Sequence, residues 1–254
     1  TRAAGYLYAC ADHVIALSMG MARTLRARGI PPDRASVVHN WVPGESVTPK
    51  PREQSAFRQS IGGVRCLAMY SGNMGLAHDF DTILRAAKLL DGQVDFVFVG
   101  GGPRRSETQK RAGQLALKNV SFHGYRPLSA LGDSLAAPDM HLLSLRPEVS
   151  GLLVPSKLYG IMAAGRAAVF IGDEYSEVAA ILSAAEAGWT VPPGRAEQLA
   201  ELLARLCGRP DELAEAGRRG RAYYEQHFGR DRSCRRLAEL IESVGARKLS
   251  GRRR

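Results

Sequence analysis

From residue 65 onward, short runs of almost unbroken apolar residues alternate with stretches whose apolar positions recur every three or four residues. The runs predict strands at 65–70, 94–99, 120–123, 140–145, 167–171 and 189–191. The periodic stretches predict helices at 79–90, 104–117, 128–136, 156–164 and 176–185. Strands with apolar residues on both faces, separated by amphipathic helices, require a parallel sheet covered on both sides. The predicted fold class is therefore α/β, a doubly wound parallel-sheet (Rossmann-like) domain. Beyond it, residues 196–249 read as helical and basic.

The first forty residues follow the same grammar on a smaller scale. Residues 6–11 read as the end of a helix, and 12–18 as a short buried strand closing on a helix cap. A helix follows at 19–28, with Met21 and Leu25 facing inward and Gly29 ending it. A turn at 31–34 leads to a second strand at 35–39. A βαβ piece of about 40 residues is too small to be a domain, so 1–40 is expected to be the remnant of a larger N-terminal domain. Residues 41–62, polar and punctuated by Pro43, Pro49 and Pro51, suit an interdomain linker. The main domain is placed at 63–228, with a closing helix and basic tail at 229–254.

Composition narrows the function classes. Hydrophobic residues make up 45% of the 254 positions and charged residues 24%, which excludes a disordered or collagen-like chain. No apolar run reaches the roughly 18 residues of a membrane span, and no signal peptide is visible. The four cysteines, Cys10, Cys66, Cys207 and Cys234, show no CxxC pair. Neither a zinc knuckle nor a disulfide framework is expected from them, and a reducing cytoplasm is the default location. The net charge is +10. Residues 208–254 hold 13 Lys or Arg against 7 Asp or Glu, which is +6 of that total. This excess favours nucleic acid, a membrane surface or a phosphorylated substrate as partner. Nucleic acid is disfavoured, because the tail has no interleaved aromatics and no recognised module.

In a doubly wound sheet, ligands bind outside the carboxyl ends of the strands. After the first strand of the main domain comes Ser71-Gly72-Asn73-Met74-Gly75-Leu76-Ala77-His78. Gly72 and Gly75 let the backbone approach a ligand, and the next helix points its amino end there, which favours an anion. Asn73 is a candidate phosphate donor, and His78 another when protonated; a plain βα turn is the alternative. Gly100-Gly101-Gly102-Pro103 lacks the spacing and the acidic partner of a dinucleotide fingerprint, and reads as tight packing near the ligand. In His123-Gly124-Tyr125-Arg126-Pro127, either Tyr125 or Arg126 is a candidate to stack on a planar base, or the segment is a solvated turn. Between 145 and 165, a turn at Gly151 leads to Pro155-Ser156-Lys157 at the opening of a helix. Ser156 is placed to cap the helix or to bind an anion, and Lys157 adds charge beside the positive end of the dipole. Together these groups read as a cradle for a diphosphate.

These loops resemble a known family. Ser71–Asp79 and the run Val154-Pro155-Ser156-Lys157-Leu158-Tyr159-Gly160-Ile161-Met162-Ala163-Ala164-Gly165-Arg166 look like bacterial family 4 glycosyltransferases, more narrowly the WbuB-like branch. Val99-Gly100-Gly101-Gly102-Pro103-Arg104, Phe122–Pro127, residues 11–18 and Val38-His39-Asn40-Trp41-Val42 fit the same pattern in the same order. The resemblance implies a GT-B architecture, two Rossmann-like domains facing across a cleft, of which 63–228 is the nucleotide-sugar-binding domain. It implies transfer of a sugar from a nucleotide-diphosphate sugar, UDP-linked in the resembled branch, to a glycan or polyprenyl-diphosphate-linked acceptor in polysaccharide synthesis. No cofactor or metal is implied, in keeping with the lack of an Asp-x-Asp motif. The implied location is the cytoplasm, with peripheral contact at the inner face of the membrane, and the helix around 231–244 is expected to pack back on the N-terminal unit.

Carried over by position, the Asn73 loop and the Ser156-Lys157 helix start hold the diphosphate. Tyr125 and Arg126 lie by the base, and 147–153, with Glu148 and Gly151, faces the sugar. Three departures stand out. Leu152 and Gly160 occupy the positions of the family's Glu-x7-Glu pair; Asn73 and His78 stand where many relatives have Arg and Lys; Ala167 replaces a common proline. The family's catalytic or acceptor-orienting His is expected upstream of Thr1, so the catalytic residues are not assigned and the chain alone is expected to bind donor weakly and turn over little. His13 reads instead as a structural histidine at a strand edge. Two rival readings share the fold. One is a UDP-N-acetyl-sugar epimerase, for which Glu148 is the sole candidate acid or base; the other is a non-catalytic nucleotide-binding module.

Overall fold

The computed structural model describes residues 2–42, 47–62, 65–149, 153 and 156–251. The N-terminal unit consists of α1 (Arg2–Cys10), β1 (Val14–Ala16), α2 (Met19–Ala27) and β2 (Ala35–Val37). Its two strands pair in parallel with Val14 opposite Ala35, around a small core of Ala16, Ala22, Leu25, Ile30 and Ala35. Ser18 caps α2 by accepting from Met21 N at 3.0 Å. His13 Nε2 meets Ser36 Oγ at 3.0 Å and so ties the two strands together. After α3 (Ala56–Ile61) the main sheet begins. Its elements are β3 (Leu67–Ser71), α4 (Asp81–Leu89), β4 (Asp95–Val99), α5 (Arg105–Gln114), β5 (Val120–His123), α6 (Leu131–Ala136) and β6 (Met140–Ser144). They continue with α7 (Lys157–Ala163), β7 (Ala167–Ile171), α8 (Glu177–Ala184) and β8 (Gly188–Val191). Three helices close the chain, α9 (Ala196–Cys207), α10 (Pro210–His227) and α11 (Arg230–Gly251).

The six strands run parallel in the order β5-β4-β3-β6-β7-β8. Alternate residues of each strand enter different cores, as a period of two dictates. Ala68, Tyr70, Phe96, Phe98, Val169 and Ile171 pack with α4 and α9 on one face. Leu67, Met69, Val97 and Val99 on the other face meet Phe57 and Ala137, and Ala168 and Phe170 there meet α7 and α8. Both faces are covered, which is why the strands read as unbroken apolar runs. Strand β3 is bonded to β4 on one side, with Leu67 opposite Asp95, and to β6 on the other, with Ala68 opposite Met140. The chain order reverses between β3 and β6, and this reversal splays the two following loops apart and opens a crevice at their carboxyl ends.

Two sequence expectations change at this level. Cys66, just ahead of β3, is joined to Cys207 at the end of α9 by a disulfide, with the Cα atoms 5.8 Å apart. The two are 141 residues apart in sequence, and only the packing of α9 over the sheet beside α4 brings them together. The scattered spacing therefore concealed a real pair, and the argument from cysteines for a reducing compartment loses its premise. The proline-rich stretch is also more than a tether. Phe57 is fully buried and Val47 has no exposure. Asp133 receives Lys50 Nζ at 2.6 Å, Ala56 N at 3.0 Å and Phe57 N at 2.9 Å. Asp139 receives Arg58 Nη1 at 2.9 Å and Leu67 N at 2.8 Å. Residues 47–62 are thus fastened to α6 and β3 of the main domain. Among the described residues, no helix is long and apolar enough to cross a membrane.

The glycine loops after β3 and β4 lie against each other. Gly72 N donates to Val99 O at 2.8 Å, and Met74 N to Gly101 O at 2.6 Å. A Cβ on Gly100, whose φ is +123°, would stand 2.3 Å from Gly72 O. Gly100→Ala is expected to cost about 2 kcal/mol or more in urea unfolding, through both the clash and the backbone strain. Gly113→Ala in α5, where the added methyl meets open space, is expected to leave stability unchanged or raise it by up to about 1 kcal/mol. Equal losses would contradict the loop contact.

Candidate functional site

The crevice between β3 and β6 holds the charged group that most of the surrounding geometry serves. Lys157 opens α7 and reaches back across the β3 loop. Its ammonium donates to Tyr70 Oη, to Asn73 O at 3.2 Å and to His78 Nε2 at 3.4 Å, and it lies 4.1 Å from the centre of the Tyr70 ring. The acceptor roles follow from the neighbours. Tyr70 gives its own hydroxyl proton to Asn73 O at 2.7 Å, so its oxygen is free to accept. His78 Nδ1 lies 2.5 Å from Ser144 O, and a carbonyl only accepts, so the proton sits on Nδ1 and Nε2 presents a lone pair. Three acceptors converge on one nitrogen, and only the charged form, with three N–H donors, satisfies all of them.

Burial opposes that charge and lowers the Lys157 pKa to about 7. The Tyr70 hydroxyl is driven upward, chiefly by burial. His78 is lowered to about 4, first by burial and then by the Lys157 charge, against the Ser144 hydrogen bond. The expectation that a protonated His78 donates to a phosphate is therefore corrected. At neutral pH its ring is uncharged, and it serves as a rigid acceptor for Lys157. Among the described residues, no carboxylate forms an ion pair with Lys157.

Glycine makes the crossing possible. Gly72 has φ +126°, and a Cβ there would fall 2.5 Å from Lys157 Cε. The neighbouring Gly102, at φ +127°, leaves room for Asn73 Oδ1, which a methyl would approach to 2.4 Å. Gly75 sits 3.2 Å, by the same measure, from Asn73 Nδ2. Asn73 is exposed at the crevice. Two arginines that the sequence reading did not single out brace the loop from outside. Arg104 Nη1 donates to His78 O at 2.8 Å, and Arg146 Nε to the same carbonyl at 3.3 Å. Arg104 is also held by Glu107 at 2.7 Å. Ser144, which closes β6, donates its hydroxyl to Asp79 O at 2.9 Å and receives Asp79 N at 2.7 Å.

The other sequence candidates divide. Tyr125 is 65% exposed, and its ring edge lies over Gly101, where a methyl would meet Cε2 at 2.9 Å. Arg126 is also exposed, with its guanidinium 4.8 Å from the Phe57 ring centre. Ser156 precedes α7 in helical conformation, and its side chain makes no cap hydrogen bond, because a cap needs extended backbone at that position. Glu148 is exposed in the single 3-10 turn Pro147–Val149. Gly151, like Leu152 and Pro155, lies outside the described residues. The residues that the sequence reading missed, Tyr70, Ser144, Arg104 and Arg146, had one usable signal. Tyr70 and Ser144 are the polar-tipped residues at the carboxyl ends of apolar runs, where a sheet of this kind presents its ligands.

The Lys157 charge contributes to stability with a definite sign. Its folded pKa lies below its unfolded value, so between about pH 7 and 10.5 the unfolded chain binds the extra proton, and stability rises with pH in that window. Lys157→Met conserves volume and removes this contribution. The stability difference, variant minus parent, is expected to fall as pH is raised from 6 to 9.5 in urea unfolding. A difference that grows with pH would show that burial does not oppose the charge.

Comparison with known proteins agrees with this geometry. The family model for glycosyl transferases group 1 matches residues 65–209, more than half of the chain. The probable glycosyltransferase WbjE of Pseudomonas aeruginosa is 26% identical over 242 residues, covering 94% of this chain and 60% of that protein. A colanic acid biosynthesis glycosyl transferase of Escherichia coli, WcaI, is 26% identical over 171 residues, covering 66% of this chain and 42% of its own length. The chain thus spans about two fifths to three fifths of the length of the curated relatives it matches. Among solved structures, HepE from Anabaena, in complex with UDP and glucose, superposes with a TM-score of 0.83 at 20% identity, over 95% of this chain and 66% of HepE. The sucrose-phosphate synthase of Thermosynechococcus elongatus gives 0.80 at 17% identity, over 96% of this chain and 61% of the synthase. The sheet order, the crevice and these likenesses agree on a Rossmann-like GT-B fold, and the chain belongs to the glycosyl transferases group 1 family.

Proposed function

We propose that this chain supplies the nucleotide-sugar-binding part of a glycosyltransferase that moves a sugar from a nucleoside-diphosphate donor, UDP-linked, to an acceptor hydroxyl in cell-surface polysaccharide synthesis. One observation carries the reading. Lys157 is a half-buried cation at the switch point of the sheet, held by three uncharged acceptors and neutralised by no carboxylate among the described residues. A site that desolvates a charge without pairing it favours an anionic ligand, and the crevice beside it is bordered by glycine backbone that a diphosphate can approach closely. Relatives of known name act in polysaccharide synthesis, including WcaI and the amylovoran biosynthesis glycosyltransferase AmsK of Erwinia amylovora, and HepE has been solved with UDP and with UDP-glucose.

In the proposed reaction the bond from the anomeric carbon to the diphosphate oxygen breaks, and its electron pair leaves with the diphosphate. The acceptor oxygen forms the new bond and releases its proton. Negative charge accumulates on the leaving group, so Lys157 stabilises the transition state more than the ground state. Tyr70, His78 and Asn73 O hold that ammonium in place, while Tyr125 is positioned to flank the base. The acceptor, a glycan or a polyprenyl-diphosphate-linked sugar, and the narrower WbuB-like assignment rest on the resemblance of the loops at 71–79 and 154–166.

Calorimetric titration separates this donor-site reading from a dinucleotide-binding one. UDP is expected to bind the chain, NAD is not, and Lys157→Met is expected to weaken UDP by about tenfold or more, the scale of a charge-assisted hydrogen bond. Binding of NAD in preference to UDP, or UDP affinity untouched by Lys157→Met, would overturn it.

A further inference from the structure

An amine can bind an anion or attack a carbonyl carbon, and Lys157 is placed for both. Lys88, Lys110 and Lys118 are exposed, and Lys50 is paired with Asp133 at 2.6 Å. Lys157 is half-buried. Its stem crosses Gly72, where even a Cβ would fall 2.5 Å from Cε. Its nitrogen reaches only uncharged groups among the described residues: Tyr70 Oη, Asn73 O at 3.2 Å and His78 Nε2 at 3.4 Å. No carboxylate there holds the proton on the nitrogen.

The three contacts are not alike. Those to Tyr70 and His78 are partly buried, whereas the one to Asn73 O is exposed to the crevice. A free amine keeps two N–H donors and gains a lone pair. The two donors suffice for Tyr70 Oη and His78 Nε2, on the buried side. Asn73 O can be given up, because the Tyr70 hydroxyl still donates to it at 2.7 Å. The free base therefore leaves no buried acceptor unserved, and its lone pair faces the open crevice. Burial lowers the Lys157 pKa to about 7, so most of it is free base at pH 8. An ordinary lysine, with a pKa of about 10.4, is less than about one hundredth free base at that pH. Desolvation of this kind is a general route to an activated lysine.

We infer that Lys157 is a modification site, acylated on Nζ by small acyl phosphates that lodge their phosphate against the glycine loop at 72–75. The inference rests on the reading of this crevice as a diphosphate site, and adds to it a means of control. In the step, the Nζ lone pair forms a bond to the acyl carbonyl carbon. The bond from that carbon to the phosphate oxygen breaks, its electron pair leaves with inorganic phosphate, and the nitrogen releases its proton to water. The product is an amide. It carries no charge and one N–H, so it can neither neutralise a diphosphate nor serve both Tyr70 and His78, and the acyl group stands in the crevice. Acylation therefore switches nucleotide binding off.

The test treats the full chain with acetyl phosphate at pH 8 and follows acetylation of each lysine by peptide mass spectrometry. Lys157 is expected to react at least about tenfold faster than the mean of Lys88, Lys110 and Lys118, through activation and proximity together. In concentrated urea, where the crevice is gone, that preference is expected to vanish. Acetic anhydride, which has no phosphate to lodge, is expected to show a preference at least about threefold smaller. Calorimetry of the treated chain is expected to count UDP sites that decline in step with Lys157 occupancy. Equal rates at Lys157 and the exposed lysines, a preference that survives urea, the same preference with the anhydride, or UDP sites undiminished by acetylation would each overturn the inference. A failure of the untreated chain to bind UDP would count against the donor-site reading alone, and the acetylation rates would still decide whether Lys157 is the modification site.

Discussion

The whole candidate site depends on one pairing: β3 is bonded to β4 on one edge and to β6 on the other. This places the ends of two strands far apart in sequence side by side, with their following loops diverging. The β3 loop supplies glycine backbone, Asn73 and His78. The β6 connection supplies Ser144, Arg146 and, at the start of α7, Lys157. Without that adjacency Lys157 would be an ordinary solvated helix residue. With it, the ammonium lies over the Tyr70 ring and is shared among three acceptors that belong to the other half of the sheet.

The surrounding residues divide their work around this charge. Tyr70 and His78 are buried, neutral and fixed by Asn73 O and Ser144 O, so they orient the cation without cancelling it. The glycines at 72, 100 and 102 have positive φ and let the loops and the lysine stem approach to distances that a Cβ would prevent. Arg104 and Arg146 converge on the His78 carbonyl, adding positive potential at the rim of the same crevice. The stored electrostatic tension is local, because the sheet beneath it has apolar cores on both faces.

Much of this was legible in the sequence, and for physical reasons. A strand buried on both faces has no polar positions to disguise it, so the runs at 94–99 and 167–171 lie within a residue of β4 and β7. The glycine loop at 71–78 and the Ser156-Lys157 helix start also announce themselves, because close backbone approach leaves few alternatives to glycine. What the sequence conceals is what depends on three-dimensional company. His78 reads as a possible cation until burial and the Ser144 carbonyl make it a neutral acceptor. Nothing in the sequence announces the Phe57 ring beneath Arg126. Ser156 reads as a cap until its backbone proves helical. Cys66 and Cys207 reveal their link only when α9 folds back across the sheet, and Tyr70 gains a role only from the lysine that arrives from another strand.

The central claim is that Lys157 holds its charge for an incoming diphosphate, and proton linkage tests it most directly. A cation whose pKa is lowered to about 7 is partly deprotonated at pH 7.5 and must recover its proton when an anion binds. Calorimetry of UDP binding at that pH, in two buffers of different ionisation enthalpy, should therefore show net proton uptake by the chain, abolished in Lys157→Met. Binding without proton uptake, or with uptake that survives the substitution, would contradict the account.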